Sequence, residues 1–274
     1  MSEFVYDSTH SRSPALDELR EILHYRDLLL QLTRRDILTR YKRSVLGIAW
    51  TMLNPLGTML ILSFVFARAF GQGPDYAAYI LSGLVAWLMF SQSTNAAMVH
   101  LIWGEGLLKR VYIPRTVFAL SAVGVALVNL CLSMAPLLIV MGLTGVPIRW
   151  TILFLPVPVL CLALFSLGIG LMVSTLAVYF ADVAEMYPII VLAWMYLTPV
   201  IYPRQYLENF SPVGVWIARL NPMAHLVDLF RAPVFDGVIP GPVQLIICLA
   251  IGLITAGLGW WIFTRRADEL AYRL

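Results

Sequence analysis

Long apolar runs alternate along this chain with short charged segments. No Asp, Glu, Lys or Arg occurs in 44–67, 76–104, 116–148, 150–181, 186–203 or 237–264. A transmembrane helix needs roughly 20 mainly apolar residues. Five of the six runs exceed that length, and 186–203 stands at the limit. Membrane β-barrels would show short segments with apolar and polar residues in alternation, so the unbroken runs predict helices. The expected fold class is an all-α membrane protein with six transmembrane helices, at about 44–67, 77–102, 116–144, 151–179, 188–202 and 242–264.

Several of these runs carry internal irregularities. The first contains Asn54-Pro55, and a proline inside a membrane helix removes a backbone hydrogen bond. The second is interrupted by Ser91, Gln92, Ser93, Thr94 and Asn95. The fourth has Ser166, Gly170 and Ser174 at successive turns, a face that allows close helix packing. The fifth ends in Thr198-Pro199-Val200-Ile201-Tyr202-Pro203, where two prolines cannot share one undisturbed helix. Residues 204–236 are too charged for a simple span yet rich in apolar side chains, and Pro212, Pro222 and Pro233 divide them. Short re-entrant or interfacial helices on the outer side are expected there. No internal repeat is visible, which counts against the inverted-repeat secondary transporters.

Three regions follow: 1–43, a polar tail with an amphipathic helix; 44–264, the six-span domain; and 265–274, a second tail. From Leu16 to Tyr41 apolar and charged residues recur at helical spacing. Leu16, Leu19 and Leu23 form one stripe and Leu30, Ile37 and Tyr41 a second. One or two helices lying in the membrane interface are expected, with a helical cap on the cytoplasmic side as the alternative. Arg34, Arg35, Arg40, Tyr41, Lys42 and Arg43 lead into the first span, where cations reach lipid phosphates.

Composition agrees with the pattern. Hydrophobic residues make up 60% and charged residues 13%, too few charges to cover a water-facing surface. The net charge of +3 matters less than its distribution. Fourteen of the 19 basic residues lie in 1–43, 103–115 and after 264. Cytoplasmic loops collect Lys and Arg, so both termini are expected in the cytoplasm, which requires an even number of spans. The first 43 residues lack the short apolar core of a cleaved signal. Cys131, Cys161 and Cys248 lie in apolar runs without ligand spacing and read as small buried residues.

Enzymatic chemistry is sparse. The two lysines, Lys42 and Lys109, lack the Gly-rich phosphate loop, so ATP is not expected to be hydrolysed here by that route. The four histidines are scattered, and the long runs hold no charge to mark an ion path. Asp182 and Glu185 are the one close acidic pair at a span junction. Aromatic residues are abundant in and beside spans 1, 2 and 5: Trp50, Phe64, Phe66, Trp87, Phe90, Trp194, Tyr196 and Tyr202. They suit interfacial anchoring and packing, or a lining that stacks on sugar rings. The loop 103–115 mixes apolar Leu107, Leu108, Val111 and Tyr112 with charged Glu105, Lys109 and Arg110. It reads as an amphipathic docking helix for a soluble partner, or as a plain positive-inside loop.

Arg40-Tyr41-Lys42-Arg43-Ser44-Val45-Leu46-Gly47-Ile48-Ala49-Trp50 with Leu53-Asn54-Pro55-Leu56 resembles the start of type-2 ABC exporter permeases for polysaccharides. Gly83-Leu84-Val85-Ala86-Trp87 with Phe90, the segment Leu107 to Arg115, Thr198 to Pro203, and Leu220-Asn221-Pro222 with Arg231 resemble later motifs of that family, in order. One departure is Ala181-Asp182, where members often carry Arg-Asp.

The resemblance implies a homodimer of this chain with two copies of a cytoplasmic ATP-binding subunit that holds ATP and Mg. No cofactor is expected on this chain, and no nucleic acid as partner. It implies a cargo of O-antigen, capsule-like or teichoic acid polymer on a polyprenyl diphosphate, in a bacterial or archaeal cytoplasmic membrane. ATPase coupling would pass through Glu105, Leu107, Leu108, Lys109, Arg110, Val111 and Tyr112 and through the N-terminal helix. Spans 1 and 5 would line the path, with Asn54 and the aromatic residues named above, and the helices between spans 5 and 6 would gate its outer side. The alternatives are a type-2 permease for a lipid or hydrophobic drug, and a membrane enzyme using Asp182 and Glu185.

Overall fold

The computed structural model describes residues 25–42, 44–67, 73, 75–103, 114–210 and 212–266, the side chains of 40, 41, 103 and 208–210 excepted. Ten α-helices and no strands occur among them. They are α1 (Arg26–Tyr41), α2 (Ala49–Phe66), α3 (Tyr76–Trp103), α4 (Thr116–Thr144), α5 (Pro156–Tyr179), α6 (Asp182–Leu197), α7 (Arg204–Phe210), α8 (Pro212–Leu220), α9 (Pro222–Arg231) and α10 (Pro242–Arg265). A 3₁₀ turn, Trp150–Phe154, precedes α5, and a π turn, Ala232–Asp236, follows α9.

Among the described residues, α2, α4, α5 and α10 are long and apolar enough to cross a membrane. The expected count of six is met only to that extent. The polar run 91–95 dilutes the apolar character of α3, although its 28 residues would span about 42 Å. Helix α6 has 16 residues and runs 182–197 rather than 188–202, starting earlier and stopping before Pro199. Proline disfavours helical backbone at the residue before it, and Thr198 is extended (φ −102°, ψ 136°).

Helix α3 is the axis of the fold. It packs along α4 and α5, and α5 packs along α10. Two faces of α5 divide this work. Gly170 lies against Ala97 and Thr94 of α3. Gly168 meets α10, where a Cβ would collide with the backbone at Thr255, and one at Gly259 would collide with the backbone of Gly168. Small residues let membrane helices approach to backbone contact. Helix α4 stops at Gly145, whose φ of 79° permits the left-handed cap, with Val146 N–H donating to Met141 O at 2.9 Å.

The prolines of 204–236 open helices rather than close them: α8 starts at Pro212 and α9 at Pro222, where the missing N–H costs nothing. Helix α9 returns into the bundle against α3, α5 and α10, with Met223, Leu226, Val227, Leu229 and Phe230 buried. Helix α1 packs along α4, but through Tyr25, Leu28, Leu29 and Leu32 on Val117 and Phe118. Leu30, of the stripe expected toward the membrane interface, lies off this face and is 64% exposed on the protomer. Cys161 and Cys248 are buried as expected, whereas Cys131 is exposed on the protomer.

Candidate functional site

The break after α6 leaves buried backbone carbonyls without helical partners, and an unsatisfied buried group is costly. Arg231, at the end of α9, supplies the donors. Its guanidinium donates to Pro199 O at 2.6 Å and Val200 O at 2.5 Å. It also donates to Tyr79 Oη at 3.0 Å and Tyr79 O at 3.3 Å. Its plane lies 3.8 Å over the Tyr79 ring. The side chain is almost wholly buried. Gly83 makes room for it, because a Cβ there would collide with the guanidinium and reach Val200 O at 3.0 Å.

Asn221 secures the same junction from the other end of α9. Its Oδ1 caps the helix by accepting from Met223 N–H at 3.0 Å and also accepts from Trp194 Nε1 at 2.9 Å. Its Nδ2 donates to Thr198 Oγ1 at 2.9 Å and Leu197 O at 3.2 Å. Tyr76 Oη donates to Ile201 O at 3.0 Å and Tyr79 Oη to Tyr202 O at 3.1 Å. Arg204 pairs with Asp228 at 3.0 Å and donates to Ala218 O at 2.7 Å, tying α7 to α9 and α8. Helices α7–α9 are therefore fastened to the start of α3 and the end of α6 by directed bonds. Arg231 and Asn221 stood in the sequence only as motif letters.

The aromatic residues divide into two sets. Trp87, Phe90 and Trp194 gather with Phe165 in edge-on contacts, with centroids 5.3 Å apart for Phe90–Trp194 and 5.4 Å for Trp87–Phe90. Trp87 and Phe90 are buried within the protomer, where they belong to the core. Nearby α4, α5 and α6 close over this part of α3. Trp50, Asn54, Phe64 and Tyr196 are exposed on the protomer surface. Phe66 is half-buried against the core, and half-buried Tyr202 donates to Tyr196 O at 2.6 Å.

Of the N-terminal set, Arg34, Arg35 and Lys42 are exposed and border an open groove of about 670 Å³ with Gln31, Ile37, Leu38 and Ile48. The side chains of Arg40 and Tyr41, and Arg43 altogether, lie outside the described residues. So does the whole expected coupling segment, Glu105, Leu107, Leu108, Lys109, Arg110, Val111 and Tyr112. Asp182 and Glu185 are exposed in the first turn of α6.

A second polar feature runs down the lower part of α3. Ser91, Gln92, Asn95, Ala96, Val99 and His100 line a cleft of about 400 Å³. Gln92 Oε1 accepts from Asn129 Nδ2 of α4 at 2.9 Å, and His100 lies 3.6 Å from Asp36 of α1.

Residues 27–235 match the sequence model of the ABC-2 type transporter family. The chain is 30% identical over 255 residues to the O-antigen export system permease protein RfbA of Myxococcus xanthus, covering 92% of this chain and 97% of that one. It is 28% identical over 216 residues to an O-antigen export system permease protein RfbA of Klebsiella pneumoniae, covering 78% and 82%. It is 26% identical over 242 residues to the polysialic acid transport protein KpsM of Escherichia coli, covering 86% and 92%.

Proposed function

The chain belongs to the ABC-2 type transporter family of membrane proteins, and on that premise we propose that it is the transmembrane subunit of an ATP-driven polysaccharide exporter. The observation that carries this reading is the similarity, over 78–92% of the chain, to relatives named as O-antigen export system permease proteins and a polysialic acid transport protein. A permease for a lipid or hydrophobic drug finds no such relative among them. The cargo in this reading is a polymer on a polyprenyl diphosphate, and ATP is bound and hydrolysed on a separate cytoplasmic subunit.

Two copies of the chain enclose the path. Helix α2 supports this: its buried residues within the protomer are Pro55 and Met59, leaving Trp50, Leu53, Leu60, Ile61 and Phe64 available to a second copy, to lipid or to cargo. Helices α3 and α6 complete six spans, with both termini in the cytoplasm, and α7–α9 form the outer gate as a unit pinned by Arg231 and Asn221. Segment 104–113 receives the ATPase.

The test is purification of the tagged chain from its native membranes in mild detergent, with mass spectrometry of proteins and lipids. An ATPase in equal amount with a polyprenyl-linked glycan is expected. An ATPase with no glycan would favour the lipid or drug permease, and no ATPase would overturn the proposal.

A further inference from the structure

Helix α3 is enclosed on every side but one. Its residues 93, 94, 97 and 98 are buried, whereas 91, 92, 95, 96, 99 and 100 retain access, which is one stripe at helical spacing. The closed side holds Ala97 and Met98 together with Ser93 and Thr94, whose hydroxyls are both spent on Phe90 O of the same helix. The open stripe holds Ser91, Gln92, Asn95 and His100, and it lines the cleft of about 400 Å³. From Gln92 to His100 it runs for about 12 Å along the helix axis.

The bonds within the stripe leave capacity unused. Asn95 Nδ2 donates to Ser91 O at 2.7 Å, and Ser91 Oγ donates to Leu88 O at 3.4 Å. Gln92 has one end of its amide engaged by Asn129. The other end of Gln92 and the Oδ1 of Asn95 make no hydrogen bond to the described residues. Such groups facing lipid tails would cost several kcal/mol each, so the stripe faces something that can hydrogen-bond.

Its chemistry narrows what that is. Amides and a hydroxyl both donate and accept, as sugar hydroxyls do. No lysine or arginine lines the cleft, and at its His100 end stands Asp36, already paired with Arg35 at 2.9 Å. A diphosphate would find no lysine or arginine in the cleft wall, and the nearest guanidinium is engaged by a carboxylate. We infer that the α3 stripe is a subsite for the sugar hydroxyls of the transported glycan, entered from the α1 end and bounded by Gln92 and Asn129. This assignment rests on the exporter reading above.

The test uses the whole complex in inside-out vesicles. Cys131, Cys161 and Cys248 are first replaced by serine or alanine, and single cysteines are placed at Ala96, Val99 and, as a lipid-side control, the exposed Leu253 of α10. A charged, membrane-impermeant methanethiosulfonate should label A96C and V99C and spare L253C. Polyprenyl-diphosphate glycan extracted from the source membranes should slow labelling at A96C at least several-fold. The lipid phosphate recovered after mild acid hydrolysis, with the released glycan removed, should not.

Separately, Asn95→Leu should lower export roughly tenfold, the worth of one lost hydrogen bond to substrate. Labelling without glycan protection would overturn the subsite and leave a water-filled cleft. Absence of labelling, with A96C forming a disulfide between two copies, would overturn it in favour of a protein–protein seam. Failure of the exporter reading itself would show elsewhere, as surface polymer unchanged when the chain is deleted.

Discussion

Replacing Arg231 with Met tests whether one buried cation holds the α7–α9 unit in place. Methionine fills most of the volume but cannot donate. The substitution leaves Pro199 O and Val200 O, now bonded at 2.6 and 2.5 Å, without partners in a buried site. Each orphaned buried acceptor costs about 1–3 kcal/mol. Loss of the stacking on Tyr79 at 3.8 Å adds about 1 kcal/mol. The expected total is about 3–7 kcal/mol, which for a chain of this size lowers the unfolding midpoint by roughly 10–20 °C. Thermal challenge of detergent-purified protein followed by size-exclusion chromatography reads that shift. A second perturbation isolates the geometry. Gly83→Ala removes no hydrogen bond but drives a methyl group into the guanidinium, and should cost about 1–3 kcal/mol. In the Arg231→Met background most of that penalty should vanish, because the flexible thioether yields where the planar cation cannot. Strictly additive losses, or an Arg231→Met midpoint within about 2 °C of the parent, would refute the clamp.

Three other outcomes follow from the packing and the site assignments. Gly259→Leu should abolish stable accumulation in the membrane, since α5 and α10 touch through backbone at Gly168; normal abundance on a blot of isolated membranes would contradict that contact. Trp87→Ala should destabilise the purified protein by about 3–5 kcal/mol, as expected for a buried aromatic. Trp50→Ala, at an exposed position, should leave the unfolding midpoint within about 2 °C and instead lower export; reversed phenotypes would undo the division between core and path. Glu at both Lys109 and Arg110 should leave insertion intact and separate ATP hydrolysis from export, measured together in reconstituted vesicles; unchanged coupling would remove the role proposed for that segment.

Lipid and water impose a one-dimensional test that can be read from sequence. A charge-free run long enough to cross a bilayer has few structures open to it, so the positions of α2, α4, α5 and α10 were legible before any contact was known. Backbone rules also account for the starts at Pro212 and Pro222 and for the stop before Pro199, which the span expected at 188–202 ran past. Aromatic content was equally visible, but its direction was not. Trp87 and Trp50 look alike as letters, yet one is enclosed by its own bundle and the other is exposed. The same limit hid the packing face of α1, where contact with α4 selected Leu28, Leu29 and Leu32 over Leu30. It also hid the partners of Arg231, which lie 32 and 152 residues away in the chain. Hydropathy and propensity are properties of a residue and its near neighbours. Which side chain satisfies a distant orphaned carbonyl, or which face of a helix stays open, depends on packing between segments remote in sequence, and only the tertiary structure decides it.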